Sequence, residues 1–194
     1  MRDYEIREVL KQTHLFKYYH DEKSLVVDEL DITSAGARID IAVVNGQLHG
    51  FEIKGASDTL NRLPYQIEAY RKIFDYLTIV TEKKHYGKVS EIIPDWVGVM
   101  LLDEEESGEI TIKQKKEAQF NSQKDAFFLA KLLWKEELLS LLKDLNIPHK
   151  KSSRTWLLCE LIAKSIEVEK LSFLVRNIIK RRSNWKNIKE ALVA

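Results

Sequence analysis

The sequence predicts an α/β domain with a central mixed sheet over residues 1–118, followed by an all-α C-terminal domain over residues 119–194. Three observations carry that prediction. Up to about residue 120, amphipathic helical stretches alternate with short β-branched runs. From Asp125 onward the apolar spacing is helical throughout. The charge divides at the same place: residues 1–120 hold 16 Lys/Arg against 22 Asp/Glu, and residues 121–194 hold 15 against 8.

Taken in order, residues 3–17 read as an amphipathic helix with Ile6, Val9 and Leu10 on one face. Residues 24–32, SLVVDELDI, are β-rich. ARIDIAVV and LHGFEIK follow, separated by Asn45, Gly46 and Gln47, which is a hairpin signal. Pro64 suits a first helical turn, so the next helix starts near Leu63 and runs to Asp75. TIVTE is a short buried strand, and residues 83–92 are a helix. WVGVMLL pairs with EITIKQK across the acidic turn DEEESG. AFFLAKLLWKEELLSLLKDL reads as one helix ending near Asn146, with Pro148 beyond it. SSRTWLLCELIAKSI, with a serine cap, VEKLSFLVRNIIKRR and a short WKNIKEALV complete the helical part.

Composition removes several classes of function. Hydrophobic residues make up 44% and charged residues 31%, a soluble mixture with enough apolar content for a core. No run approaches the roughly 20 apolar residues of a membrane span. The charged start, MRDYEIREVLKQ, is no secretory signal, so a cytoplasmic protein is expected. The single cysteine, Cys159, excludes an internal disulfide and a cysteine zinc site, and is read as core. An acidic body with a basic tail suits a polyanion partner, nucleic acid above all, or ordinary solvated helix faces.

Asp40, Glu52 and Lys54 form the clearest chemical constellation. Asp40 interrupts an aliphatic strand, where an unpaired charge is costly. Glu52 and Lys54 are two apart on a strand and share a face. Two carboxylates held close repel unless a cation lies between them, and Mg²⁺ takes one or two carboxylates plus waters and phosphate oxygens. For Asp40 to meet Glu52 on one face, paired residue numbers must sum to an even value. That requires an odd-length loop, Asn45-Gly46-Gln47 with Gly46 at positive φ, or a bulge. Gln66 and Tyr70, four apart, share a helical face and are candidates to grip a phosphate or a base. Arg62, Asp58 and Arg38 are weaker candidates near the cleft, and His85 reads as a surface histidine. In the tail, Lys150, Lys151 and Arg154 form one basic cluster. Lys180, Arg181, Arg182 and Lys186, with Trp185 interleaved, form a second.

Together these residues resemble the PD-(D/E)XK nuclease superfamily. Asp40, Glu52 and Lys54 match its motif across residues 1–115, and Gln66 with Tyr70 matches the Gln-x-x-x-Tyr helix of its RecB-like branch. The block from ARIDIAVV to KKH also resembles an uncharacterised family of small bacterial proteins of this fold. The tail segment LLSLLKDLNIPHKKSSRTWLLCELIAKS weakly resembles SAP-type DNA-binding modules. The superfamily resemblance implies a restriction-endonuclease-like αβββαβ core and a Mg²⁺- (or Mn²⁺-) dependent nuclease, a bacterial or phage phosphodiesterase acting on DNA. It implies a metal held by Asp40, Glu52 and the Ile53 main-chain carbonyl, with Lys54 serving the attacking water. Glu29 on the first strand, or Glu5 or Glu8 on the first helix, is the candidate third carboxylate. Gln66, Tyr70, Arg62, Lys150, Lys151, Arg154, Arg181 and Arg182 are the candidate nucleic-acid contacts. The rival expectation is an inactive adaptor of this fold that binds nucleic acid or protein.

Overall fold

The amphipathic start of the chain folds as two helices rather than one. α1 (Asp3–Gln12) buries Ile6 and Leu10. The Thr13 hydroxyl then donates back to the Val9 carbonyl, and the Leu15 N–H reaches the Leu10 carbonyl. These bonds end the helix, and the chain restarts as α2 (Phe16–Tyr19). The structure is a computed structural model that describes residues 3–32, 35–104 and 110–182.

β1 (Leu25–Ile32), β2 (Ala37–Val44) and β3 (Leu48–Lys54) form an antiparallel meander. α3 (Leu63–Arg71), with Pro64 in its first turn, crosses over to β4 (Tyr76–Glu82), parallel to β3. α4 (Lys83–Ile92) leads to β5 (Gly98–Glu104), parallel to β4, and β6 (Ile110–Lys116) returns antiparallel. The result is an α/β fold around a six-stranded mixed sheet, ordered as in the sequence. Gly98 sits where a Cβ would come within 2.7 Å of the Ala118 main-chain nitrogen, so a larger residue would push the following segment off the sheet.

The β2–β3 hairpin has the parity the site needs. Val44 faces Leu48 and Ile41 faces Phe51, leaving Asn45-Gly46-Gln47 as a three-residue loop. Gly46 is not at positive φ as expected; among the described residues Gly36 is the glycine there. The turn is closed instead by Asn45, whose side-chain oxygen accepts the Gln47 N–H at 2.9 Å.

Each face of the sheet is covered by helices. Ile41, Val43, Phe51 and Ile53 pack with Ile6, Leu10 and Leu15 on one side. On the other side Ala42, Val44 and Leu48 join Ile67, Tyr70 and Phe74 and the tail residues Leu129, Leu158, Leu171 and Val175 in one cluster. The helices after residue 119 therefore share their core with the sheet.

Those helices are α5 (Ala126–Ala130), α6 (Lys135–Asp144), α7 (Thr155–Ser165) and α8 (Val168–Lys180). The single helix expected over residues 126–145 is thus two. The Trp134 N–H donates to Glu137 Oε2 at 2.7 Å and starts a new helix, while Arg182 Nη2 donates to the Leu132 carbonyl at 2.8 Å. α6 ends as expected, with Asn146 left-handed at φ 54°. α7 has no serine cap: Arg154 occupies that position without a side-chain bond. Residues 105–108 of the acidic turn DEEESG and the last helix expected at 185–193, with Trp185 and Lys186, lie outside the described residues. No helix among the described residues is long and apolar enough to cross a membrane.

His49 on β3 gives the fold an acid sensitivity. Its ring stacks on Phe51 with centroids 4.3 Å apart, and Nε2 meets Thr78 Oγ1 at 2.8 Å. Burial first, and the His14 charge second, push its pKa down from 6.5 to about 3. In the unfolded chain the ring still takes a proton near 6.5. Between these values the unfolded state binds more protons, so stability falls as pH drops, by at most about 1.4 kcal/mol per pH unit from this residue. Urea midpoints measured at neutral pH and at about pH 4.5 should therefore differ less in His49→Phe than in wild type. Equal losses in the two proteins would remove His49 as the cause.

Candidate functional site

The β2–β3 ladder stops at the Ile41–Phe51 pair, and there the strands part. Asp40 occupies the gap. Its Oδ2 accepts the Ile53 N–H at 2.7 Å, replacing the ladder bond that β2 no longer offers. On β1 the corresponding break falls at Glu29, which is left out of the pairing with β2 and has φ 52°. The parting opens a cleft of about 870 Å³ whose lining includes Asp40, Glu52, Ile53, Lys54, Arg62 and Gln66.

The floor of the cleft is a closed hydrogen-bond network around Glu52, which is only 2% exposed. Glu52 Oε1 accepts from Lys54 Nζ at 2.7 Å and from Gln66 Nε2 at 2.6 Å. Its Oε2 accepts the Tyr70 phenol at 2.5 Å. Lys54 also donates to Gln66 Oε1 at 3.1 Å. Burial, then the Glu52 charge and its hydrogen bond, raise the Tyr70 pKa well above its usual value, so the phenol remains a donor. The four-residue spacing of Gln66 and Tyr70 on α3 is what lets both reach one carboxylate.

Asp40, Glu52, Lys54 and Gln66, expected to act together, do meet in this cleft, with Arg62 on its rim. Tyr70 requires a correction. It is fully buried and bonded to Glu52, so it supports the floor and does not reach a ligand. None of the third-carboxylate candidates lines the cleft. Glu29 turns to Arg38 at 3.2 Å and Arg7 at 3.6 Å. Glu8 pairs with Lys11 at 3.4 Å, and neither Glu5 nor Glu8 lines the cleft. The resemblance implies an acid on the first helix, but the group that reaches the site from α1 is a cation: Arg7 Nη2 lies 3.5 Å from Asp40 Oδ1. His85 is buried on α4 rather than on the surface.

In the tail, Lys150, Lys151, Arg154 and Arg181 are exposed. Arg182 is not a surface contact. It is 6% exposed, donates to both Glu137 oxygens and the Leu132 carbonyl, and lies 4.2 Å from the Trp134 ring centroid. Its guanidinium is committed to joining α5, α6 and α8.

The floor carries oxygen donors of the kind a divalent cation takes, although both Glu52 oxygens already accept from Lys54, Gln66 and Tyr70. Asp40, Glu52 and the Ile53 carbonyl offer hard oxygens, and two carboxylates suffice for Mg²⁺. Among the described residues no group of three or more His, Cys, Asp or Glu side chains is placed to hold a metal ion, so waters or a ligand would complete the coordination.

The family model described as bacteriophage P4 protein cII matches residues 4–193. A relative described as protein cII, from Enterobacteria phage P4, is 28% identical over 182 residues, covering 94% of this chain and 68% of the relative. No solved structure matches the chain. These matches overturn the expectation of a metal-dependent nuclease or hydrolase acting on phosphodiester bonds, because both are to protein cII and neither description names such an activity. The expectation of a phage connection agrees with them. With the family model spanning residues 4–193, the chain belongs to the bacteriophage P4 protein cII family.

Proposed function

We propose that the chain is a nucleic-acid-binding protein, with DNA as its partner, whose cleft meets the phosphate backbone through a divalent cation. The supporting observation is the convergence of Asp40 and Glu52 on one floor, ringed by Lys54, Arg38 and Arg62. The lining holds four carboxylates, Asp31, Asp40, Glu52 and Asp58, against three cations, Arg38, Lys54 and Arg62. Arg7, 3.5 Å from Asp40 Oδ1, brings the balance to four against four, so the protein alone gives a polyanion no net attraction. A bound Mg²⁺ or Mn²⁺ would make the balance positive and offer a coordination position to a phosphate oxygen. The Ile53 N–H fixes Asp40, while Lys54, Gln66 and Tyr70 fix Glu52, so the two carboxylates are held in place before any ligand arrives.

The same reading covers the finer fold. The antiparallel β1–β2–β3 meander, followed by α3 and a β4 parallel to β3, has the element order of a restriction-endonuclease-like core. On the tail, exposed Lys150, Lys151 and Arg154, beside Trp156 at 45% exposure, offer a second patch for phosphate contact.

Fluorescence anisotropy with labelled DNA, in Mg²⁺ and in EDTA, tests the reading. DNA should bind more tightly in Mg²⁺, and Asp40→Asn should lose most of that difference while unfolding at the wild-type urea midpoint. No DNA binding, or equal affinity in Mg²⁺ and EDTA, would sink it.

A further inference from the structure

We propose that Tyr65 is a base-stacking platform at the mouth of the cleft, and that the cleft therefore takes a single strand in preference to a closed duplex. This deepens the nucleic-acid reading above and rests on it.

Tyr65 lies on α3 beside Gln66 and lines the same cleft as Asp40 and Glu52. It is 80% exposed, whereas Leu63, Ile67 and Tyr70 on the same helix are buried. The two tyrosines of α3 thus have opposite environments. The Tyr70 hydroxyl is bonded to Glu52, while the Tyr65 ring stands open to solvent. Exposed Leu or Tyr residues scattered over a surface need no explanation. Tyr65 differs because it sits on the rim of a polar cleft, with two guanidinium groups, Arg38 and Arg62, on the same lining. The Arg38 side chain is 62% exposed. An open aromatic ring on a lining that also carries guanidinium groups is a surface on which nucleobases can stack.

The charge of the cleft argues the same way. With Arg7 beside Asp40 counted, four carboxylates face four cations, which gives phosphate little to hold beyond one bound ion. Stacking supplies attraction that does not depend on charge, and every base has a face to offer. In a closed duplex those faces are covered by neighbouring base pairs. A ring at a cleft mouth reaches one only in a single strand or at a frayed end.

The test compares wild type, Tyr65→Ala and Tyr65→Phe by fluorescence anisotropy in Mg²⁺. The probes are a mixed-sequence single strand and a looped, end-closed duplex of the same composition. Wild type should prefer the single strand. Tyr65→Ala should bind it roughly 5- to 150-fold more weakly, and Tyr65→Phe should stay near wild type. Because Tyr65 is exposed, both variants should keep the wild-type urea midpoint. If Tyr65→Ala holds the single strand as tightly as wild type, the platform is overturned while metal-dependent binding stands. If wild type prefers the duplex, or Tyr65→Ala weakens both probes equally, the strand preference is overturned. If wild type binds neither probe, the inference and the proposed function fall together.

Discussion

Replacing Asp75 with alanine is expected to destabilise the protein by about 3–5 kcal/mol, as removal of one partner from a buried ion pair does. Asp75 follows α3 and is 2% exposed. Its carboxylate meets the Lys124 ammonium, accepts from Arg176 Nη1 at 3.1 Å and accepts the Leu48 N–H at 2.7 Å. The Lys124 side chain is fully buried, so without Asp75 its charge retains, among the described residues, Glu169 at 2.9 Å and the Phe120 ring at 4.7 Å. Asn121 strengthens the same junction, donating to the Arg71 and Phe74 carbonyls at 2.6 and 2.9 Å. The start of β3, the end of α3 and the helix α8 thus meet at one carboxylate. Asp75→Asn keeps an acceptor for Leu48 but removes the charge, so it should lose less than Asp75→Ala. Urea denaturation measures both. Hydrogen exchange should show α8 losing protection before the central strands. An Asp75→Ala midpoint equal to wild type would show that apolar packing alone holds the helical layer.

That junction was not legible in the sequence, and the reason is physical. Asp75 lies 49 residues from Lys124 and 101 from Arg176. A charge in a polar-looking connection gives no sign that folding will bury it. Arg182 misled for the same reason: it sits in a basic run that reads as a solvated patch, yet its guanidinium is enclosed by Glu137, Leu132 and Trp134. Arg7 escaped notice because the expected partner on the first helix was an acid. Local signals fared better. Pro64 marked the first turn of α3, and the three residues between two β-rich runs set the parity that brings Asp40 and Glu52 into one cleft. The break between α5 and α6 was hidden because apolar spacing continues through Leu132 and Leu133; the Glu137 cap on Trp134 is local but weak in sequence. The function was overread. Two carboxylates and a lysine describe a charge arrangement, and that arrangement does not specify whether a bound phosphodiester is broken.

The charge arrangement itself predicts a second large loss. Glu52→Leu should cost about 3–5 kcal/mol, because it leaves the buried Lys54 cation without its charged partner and takes an acceptor from the half-buried Gln66 amide and from the buried Tyr70 phenol, which keeps only the Arg38 carbonyl among the described residues. The Lys54 side chain is 8% exposed and has Glu52 as its charged partner at 2.7 Å. Tyr70 and Gln66 donate to the same carboxylate at 2.5 and 2.6 Å. Glu52→Gln preserves shape and one acceptor oxygen, but its amide group turns a donor toward Gln66 or Lys54. It should lose about 1–3 kcal/mol, the cost of an unsatisfied buried group. Removing both charges tests whether the pair or the hydrogen bonds dominate. If the stranded ammonium causes most of the loss, the double variant Glu52→Leu with Lys54→Met should regain much of the stability that Glu52→Leu alone gives up. If the double variant is no better than Glu52→Leu, the loss belongs to Tyr70 and Gln66, and Lys54 finds solvent when its partner is gone. Urea unfolding of the two single variants and the double closes the cycle. DNA binding provides an independent reading: the double variant lacks Glu52, one of the two carboxylates proposed to hold the cation, so the advantage of Mg²⁺ over EDTA should disappear even where stability returns.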